Sequence, residues 1–269
     1  MFDAHVHSAP CLLPRRADDR ETVVAYADAG FSGCVLKGHF EPTVGRARAA
    51  GAGLGVDVYG AIVLNAPVGG LNPAAVETAL RLGARVVWLP TLDSAAHGAV
   101  GLPQPEGRRC ARYRIDDPAA EIALAEILRL VAEADAVLAT GHLGGDELRA
   151  LLPAAAHRGV RRLVATHPTF TVPGLNAAGA RELADFGAVI EITAFQLLHQ
   201  PNADAARLAA VVREVGAERC LLSSDAGQPE SPMPPDALRL LIERLAAEGL
   251  DRQALEAAAS ETPQRLVAP

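Results

Sequence analysis

The chain has no run of basic residues, no uninterrupted apolar stretch long enough to cross a bilayer, and no CxxC pair. Each absence closes off a class of function. Without a basic stretch, and with a formal net charge of −7, nucleic acid and anionic membrane surfaces are poor partners. Without a span of about 20 apolar residues, no transmembrane helix is expected. Cys11, Cys34, Cys110 and Cys220 are scattered, which argues against a disulfide framework or a zinc ribbon and makes reduced thiols in a cytoplasmic protein the default. Polar residues begin at position 3, so no secretory leader is expected. No linker-like stretch divides the 269 residues, half of which are apolar. Residues 1–269 are therefore expected to form one domain around one large core.

What the sequence does have is a repeated alternation. Short β-rich apolar runs fall near 2–7, 33–37, 58–65, 85–89, 136–140, 162–166, 188–193 and 220–224. Such near-continuous runs are what strands covered on both faces look like. Segments with apolar residues at three- and four-residue spacing lie between them, near 18–29, 42–52, 73–83, 117–133, 145–158, 176–186, 203–216 and 235–248, with a last helix near 252–266. Pro73 and Pro118 stand at helix starts, and Gly30, Gly83, Gly159, Gly187 and Gly216 follow last turns. Eight repeats of strand then helix predict an α/β fold, a single-domain (β/α)8 TIM barrel. One connection is abnormal: residues 91–116, leaving the fourth strand, are long enough to form a lid over an active site.

The opening Phe2-Asp3-Ala4-His5-Val6-His7 carries the first chemistry. A period of two puts Asp3, His5 and His7 on one face of a strand and Phe2, Ala4 and Val6 on the other. Two imidazoles and a carboxylate on one face make part of a metal coordination sphere, so the remaining ligands should lie at the ends of other strands. Barrel active sites form at the carboxyl ends of strands. Lys37 and His39 follow the second strand, Asn65 the third, His142 the fifth and His167 the sixth; Glu191 lies within the seventh, and Asp225 ends the eighth. His97 falls in the long loop, His157 ends a helix, and His199 follows the seventh strand.

This pattern resembles the amidohydrolase superfamily of metal-dependent (β/α)8 enzymes. The resemblance rests on His5-Val6-His7, His142, His167 and Asp225, on the preceding Asp3, and on Glu261-Thr262-Pro263-Gln264-Arg265-Leu266, which is similar to a closing N-P-x-R-L segment with Thr262 in place of Asn. It implies His5, His7, His142, His167 and Asp225 as ligands of one or two divalent metal ions. Zinc suits nitrogen-rich ligation best, with manganese or iron compatible. Two features depart from the family pattern. Trp88, Leu89, Pro90 and Thr91 stand where a bridging Lys or Glu usually ends the fourth strand, and Lys37-Gly38-His39 is an addition. Lys37 either binds a substrate carboxylate or, carboxylated, bridges two metals from an unusual strand; His39 is a further candidate for the site.

The resemblance implies a hydrolase acting on a C–N or C–O bond of a small, carboxylate-bearing substrate, with a metal-activated water and Asp225 as general base. His167 polarises the substrate carbonyl or completes a second metal position. Asp3 is expected to orient a histidine from behind. Lys37, His39 and Arg15 are the candidate substrate-binding residues, although Arg15 and Arg16 suit solvent equally well. A decarboxylase or hydratase of the same superfamily, with one metal and no bridge, is the main alternative. A PHP-type phosphoesterase and a non-catalytic barrel are two more, and Asp225-Ala226-Gly227 in place of a late D-x-H counts against the former. The expected partner is a small molecule, and a homo-oligomer is compatible with the sequence.

Overall fold

The computed structural model describes residues 1–268. Strands β1 (Phe2–Val6), β2 (Gly33–Leu36) and β3 (Asp57–Tyr59) form one parallel sheet. Strands β4 (Ala61–Val63), β5 (Val86–Trp88), β6 (Val137–Ala139), β7 (Arg162–Ala165), β8 (Val189–Thr193) and β9 (Cys220–Ser223) form a second parallel sheet in that order. Helices α1 (Asp19–Asp28), α2 (Val44–Gly51), α3 (Pro73–Leu82), α4 (Ala95–Ala99), α5 (Glu121–Glu133), α6 (Gly145–His157), α7 (Ala177–Asp185), α8 (Ala194–His199), α9 (Ala205–Val215), α10 (Pro234–Ala247), α11 (Arg252–Ala258) and α12 (Glu261–Val267) complete the chain.

The two sheets are one ring. At one seam Asp225 N donates to His5 O at 2.8 Å and His7 N to Ala226 O at 2.9 Å, tying the segment after β9 to β1. At the other, the expected third strand is split at Gly60 into β3, which pairs with β2, and β4, which pairs with β5. Thr43 fills the gap: its N–H donates to Ala61 O at 2.9 Å, and its hydroxyl donates to Leu36 O at 2.6 Å while accepting from Ala61 N at 2.9 Å. Only glycine admits this approach, because a Cβ on residue 60 would lie 2.3 Å from Val44 Cα. Counting β3 and β4 as one stave gives the eight-stave parallel barrel that the alternation predicts.

Two apolar layers hold the ring. Between staves and helices lie side chains such as Leu36, Ile62, Val87, Leu138, Leu151, Ile190 and Leu241, all buried. Inside the ring, Phe2, Ala4, Val35, Val63, Val86, Val137, Val164 and Leu221 make a second cluster, closed from below by Leu266 and Val267 of α12. The apolar plug keeps water from the amino end of the barrel and leaves polar side chains only at its carboxyl mouth.

Several local expectations are corrected. The last helix is two, α11 and α12, separated by Ala259 and Ser260. The short helices α4 and α8 were not expected; each is under two turns, too short to set up a periodic pattern. The strict alternation in β1 also fails. Its register slips between Asp3 and Val6, so Asp3 turns away from the interior while His5 turns in. Asp3 accepts hydrogen bonds from His5 N at 3.2 Å, Ser224 N at 3.0 Å and Tyr26 Oη at 2.5 Å. It fastens β1 to the end of β9 and to α1, and it orients no imidazole ring.

Candidate active site

At the carboxyl mouth, His5, His7 and Asp225 each bring one donor atom into a group whose members lie within 4.8 Å of one another. His5 Nε2 is 3.0 Å from Asp225 Oδ1, and His7 Nε2 is 3.1 Å from the same oxygen. The backs of both rings are held. His5 Nδ1 lies 2.9 Å from Glu191 Oε1, which also accepts from Ser223 Oγ at 2.7 Å. His7 Nδ1 lies 3.0 Å from the backbone oxygen of Lys37.

These partners decide where the ring protons sit. A carbonyl oxygen can only accept, so His7 Nδ1 carries a proton and donates it. Nε2 of the neutral ring is then a lone pair facing a carboxylate oxygen. Burial pushes His7 well below the ordinary histidine range, so a second ring proton is not the natural remedy. A cation between the lone pair and the carboxylate is. His5 repeats the arrangement only in its neutral form, with Glu191 as the acceptor at Nδ1, and its Nε2 also meets the Lys37 ammonium at 2.9 Å. Burial opposes charge on His5, but Asp225 and Glu191 outweigh it and lift the ring to about 8, with Lys37 acting against them. Burial likewise opposes the charge on Asp225, yet the two imidazoles hold it well below the usual carboxylate range. Two nitrogens and one oxygen, fixed from behind and aimed at one point, fit a divalent metal.

The other expected residues surround that point. His167 Nε2 is 3.8 Å from Asp225 Oδ2, and its Nδ1 is buried with no hydrogen-bond partner. Burial lowers its pKa to about 4, so the ring is neutral near pH 7. His142 packs against His167 with ring centroids 5.1 Å apart. Neither ring joins the tight donor group, although both line the same cavity. Backbone shape brings them there. Gly141, at φ +61°, lies so close to Leu89 that a Cβ would sit 2.3 Å from its carbonyl oxygen. His167 and Asp225 themselves adopt positive φ of 25° and 48°, a backbone conformation that is costly for a non-glycine residue.

Lys37, the sole lysine in the sequence, reaches the site. Its Nζ is 2.9 Å from His5 Nε2 and 5.0 Å from the centroid of Trp88. Burial lowers its pKa to about 8, with Asp225 and Glu191 limiting the fall. His39 stacks on His7 at 4.7 Å and its Nδ1 meets Thr91 Oγ1 at 3.0 Å. Arg15 lines the cavity wall. Trp88 stands at the end of β5 beside His5, with ring centroids 5.4 Å apart.

Sequence reasoning missed His97. It lies in α4 within the long loop, is 3% exposed, and places Nδ1 2.9 Å from Nδ1 of His142. Ser94 Oγ fixes both partners, accepting from His97 N at 3.0 Å and donating to the His142 carbonyl at 2.6 Å. The only signal was Ser94 three residues ahead of the histidine, a capping pattern. The 91–116 segment forms one wall of the cavity through Leu92, His97, Leu102 and Pro103. Buried Asp93 ties it down, accepting from Ala66 N at 2.7 Å and Ala111 N at 2.9 Å and pairing with Arg108. The whole cavity encloses about 370 Å3.

Known structures share this fold. An amidohydrolase from Pseudomonas aeruginosa superposes with a TM-score of 0.62 at 11% identity, covering 99% of this chain and 94% of that one. An organophosphorus hydrolase from Deinococcus radiodurans gives 0.64 at 16% identity, covering 100% and 92%. A 2,6-dihydroxybenzoate decarboxylase gives 0.60 at 13% identity, covering 99% and 97%. These neighbours are enzymes of the amidohydrolase superfamily, and at such identities the likeness speaks for the barrel rather than for a reaction. No curated protein sequence matches the chain. Among the described residues no helix is long and apolar enough to cross a membrane. The model of a family of unknown function (DUF6282) matches residues 1–191, and the chain belongs to that family.

Proposed function

We propose that this protein is a metal-dependent hydrolase of a C–N or C–O bond in a small, negatively charged substrate. The observation that carries the reading is the meeting of His5 Nε2, His7 Nε2 and Asp225 Oδ1, each ring being held from behind and His7 Nε2 being left a lone pair by the carbonyl at its Nδ1. His5, His7 and Asp225 would hold a divalent ion, zinc by the softness of the nitrogen-rich set, with His142 as a further ligand. Such an ion supplies a water whose pKa falls towards about 7 and polarises an adjacent carbonyl.

The chain's own groups do the rest. Asp225 Oδ1 faces the two imidazoles, and Oδ2 faces His167 at 3.8 Å. Oδ2 is therefore the oxygen placed to take a proton from the attacking water and return it to the leaving group. Neutral His167 donates a hydrogen bond to the substrate carbonyl. Arg15 receives the substrate's negative group, Lys37 and His39 line the same cavity, and the apolar walls exclude bulk water.

One observation favours a second reaction class. Trp88 and the absence of an acidic or lysine side chain at the end of β5 suit a single metal without a bridge, as a decarboxylase or hydratase would use. Elemental analysis paired with product analysis tests both. The proposal expects about one divalent ion per chain, lost in His5→Ala, with turnover of amide, lactone or ester substrates dependent on it. Carbon dioxide release without hydrolysis moves the protein to the second class; metal-free protein with undiminished turnover contradicts both.

A further inference from the structure

We infer that Arg15 is the anchor for a carboxylate on a small substrate with a flat apolar body, and that this arginine selects the substrate class. The inference rests on the mouth of the barrel being the active site, as proposed above. Its own observation is a different one: Arg15 Nε and Nη2 are buried and have no hydrogen-bond partner, and Arg15 makes no ion pair among the described residues. Donors left desolvated and unpaired favour the binding of an acceptor.

The geometry of the fork narrows the acceptor. Nε and Nη2 form one edge of the planar guanidinium and donate in parallel within its plane, which matches two oxygens of a planar carboxylate. Acids of the chain do not fill the role. Asp225 is engaged by His5 and His7, and Glu230, which also lines the cavity, forms no ion pair with Arg15. Lys37 is a poorer candidate because its ammonium is turned inward against His5 and Trp88. Away from the histidines, much of the wall is apolar: Leu13, Leu92, Leu102, Pro103, Phe170 and Phe195. Phe170 packs edge-on to His167 at 5.1 Å and to Phe195 at 5.7 Å, so aromatic faces border the reacting end. A cavity of about 370 Å3 is at the small end for ligand sites and takes a single-ring molecule rather than a peptide or polymer.

Calorimetric titration of the full-length protein with benzoate, its neutral isostere benzamide, acetate and inorganic phosphate tests the inference. Each titration is run on the protein as purified and after chelator treatment. Benzoate should bind about tenfold or more tighter than benzamide, acetate or phosphate, in both preparations. Arg15→Met should bring benzoate and benzamide within about threefold of each other, and Arg15→Lys, which keeps the charge without the fork, should fall between. Arg15 is only half-buried on a loop, so both variants should keep the parent melting temperature. An unchanged benzoate preference in Arg15→Met overturns the inference, as does phosphate binding as tightly as benzoate. So does a preference that disappears on chelation yet survives in Arg15→Met, which would assign the carboxylate to the metal. A protein that holds no metal but keeps the Arg15-dependent preference contradicts the hydrolase proposal and leaves this inference standing.

Discussion

Glu191 shows how much of the site depends on residues that touch neither substrate nor ion. Its Oε1 accepts from His5 Nδ1 and from Ser223 Oγ, and burial would raise its pKa were the facing His5 not there to lower it. Replacing it with glutamine keeps the shape but lets an amide nitrogen turn towards His5, weakening the tautomer that leaves Nε2 bare. Glu191→Gln should lose about 10- to 100-fold in metal affinity, read by competition with a chromogenic chelator, with a melting temperature close to that of the parent. An unchanged affinity would mean that the ring is oriented by packing alone. At this scale the sequence spoke through residue type and position: His5, His7, Lys37, His39, His142, His167 and Asp225 all stand at one mouth because each lies at or just past the carboxyl end of a strand. Asp3 was misread because a bulge in β1 is a backbone event that leaves no mark in the side-chain pattern. His97 was passed over because its neighbour in space, His142, is 45 residues away.

Among the elements, the seam at Gly60 is the most exacting. Thr43 substitutes for the missing rung between β2 and β4, and the start of α2 presses on the glycine from outside. Gly60→Ala must push Val44 or part the strands, so it should cost about 1–3 kcal/mol in urea unfolding, whereas Gly45→Ala, inside α2 where a Cβ meets nothing within 4 Å, should gain about 0.5–1 kcal/mol. Equal effects would show that the close approach relaxes freely. The staves and long helices were readable because apolar runs and helical spacing recur over many residues. The split in the third stave, the division of the last helix, and the brief α4 and α8 were not, since contacts distant in the chain decide them. Each of the two short helices carried only a local mark: the N-cap Ser94 in α4, and in α8 the capping box in which Thr193 Oγ1 accepts from Gln196 N at 3.2 Å and Gln196 Oε1 from Thr193 N at 3.0 Å.

For the molecule as a whole, the two apolar layers predict which thiols are inert. Burial raises Cys34 well above the ordinary thiol range and, with Glu218 adding to it, pushes Cys220 up to about 12. A maleimide at pH 8 should modify Cys11 and Cys110 and spare the other two until the chain unfolds. Above pH 9 the unfolded chain sheds thiol protons that the folded chain retains, so unfolding releases protons and stability falls as pH rises further. Rapid native labelling of Cys220 would mean that the layer between β9 and its covering helices opens easily. That same closed ring is what carries His5, His7 and Asp225, from opposite ends of the sequence, to one point. The most direct test is anomalous diffraction from crystals of the protein grown with zinc. The account predicts a single strong peak within about 2.0–2.2 Å of His5 Nε2, His7 Nε2 and a carboxylate oxygen of Asp225. A peak elsewhere, or none at that point in crystals that bind zinc, would contradict it.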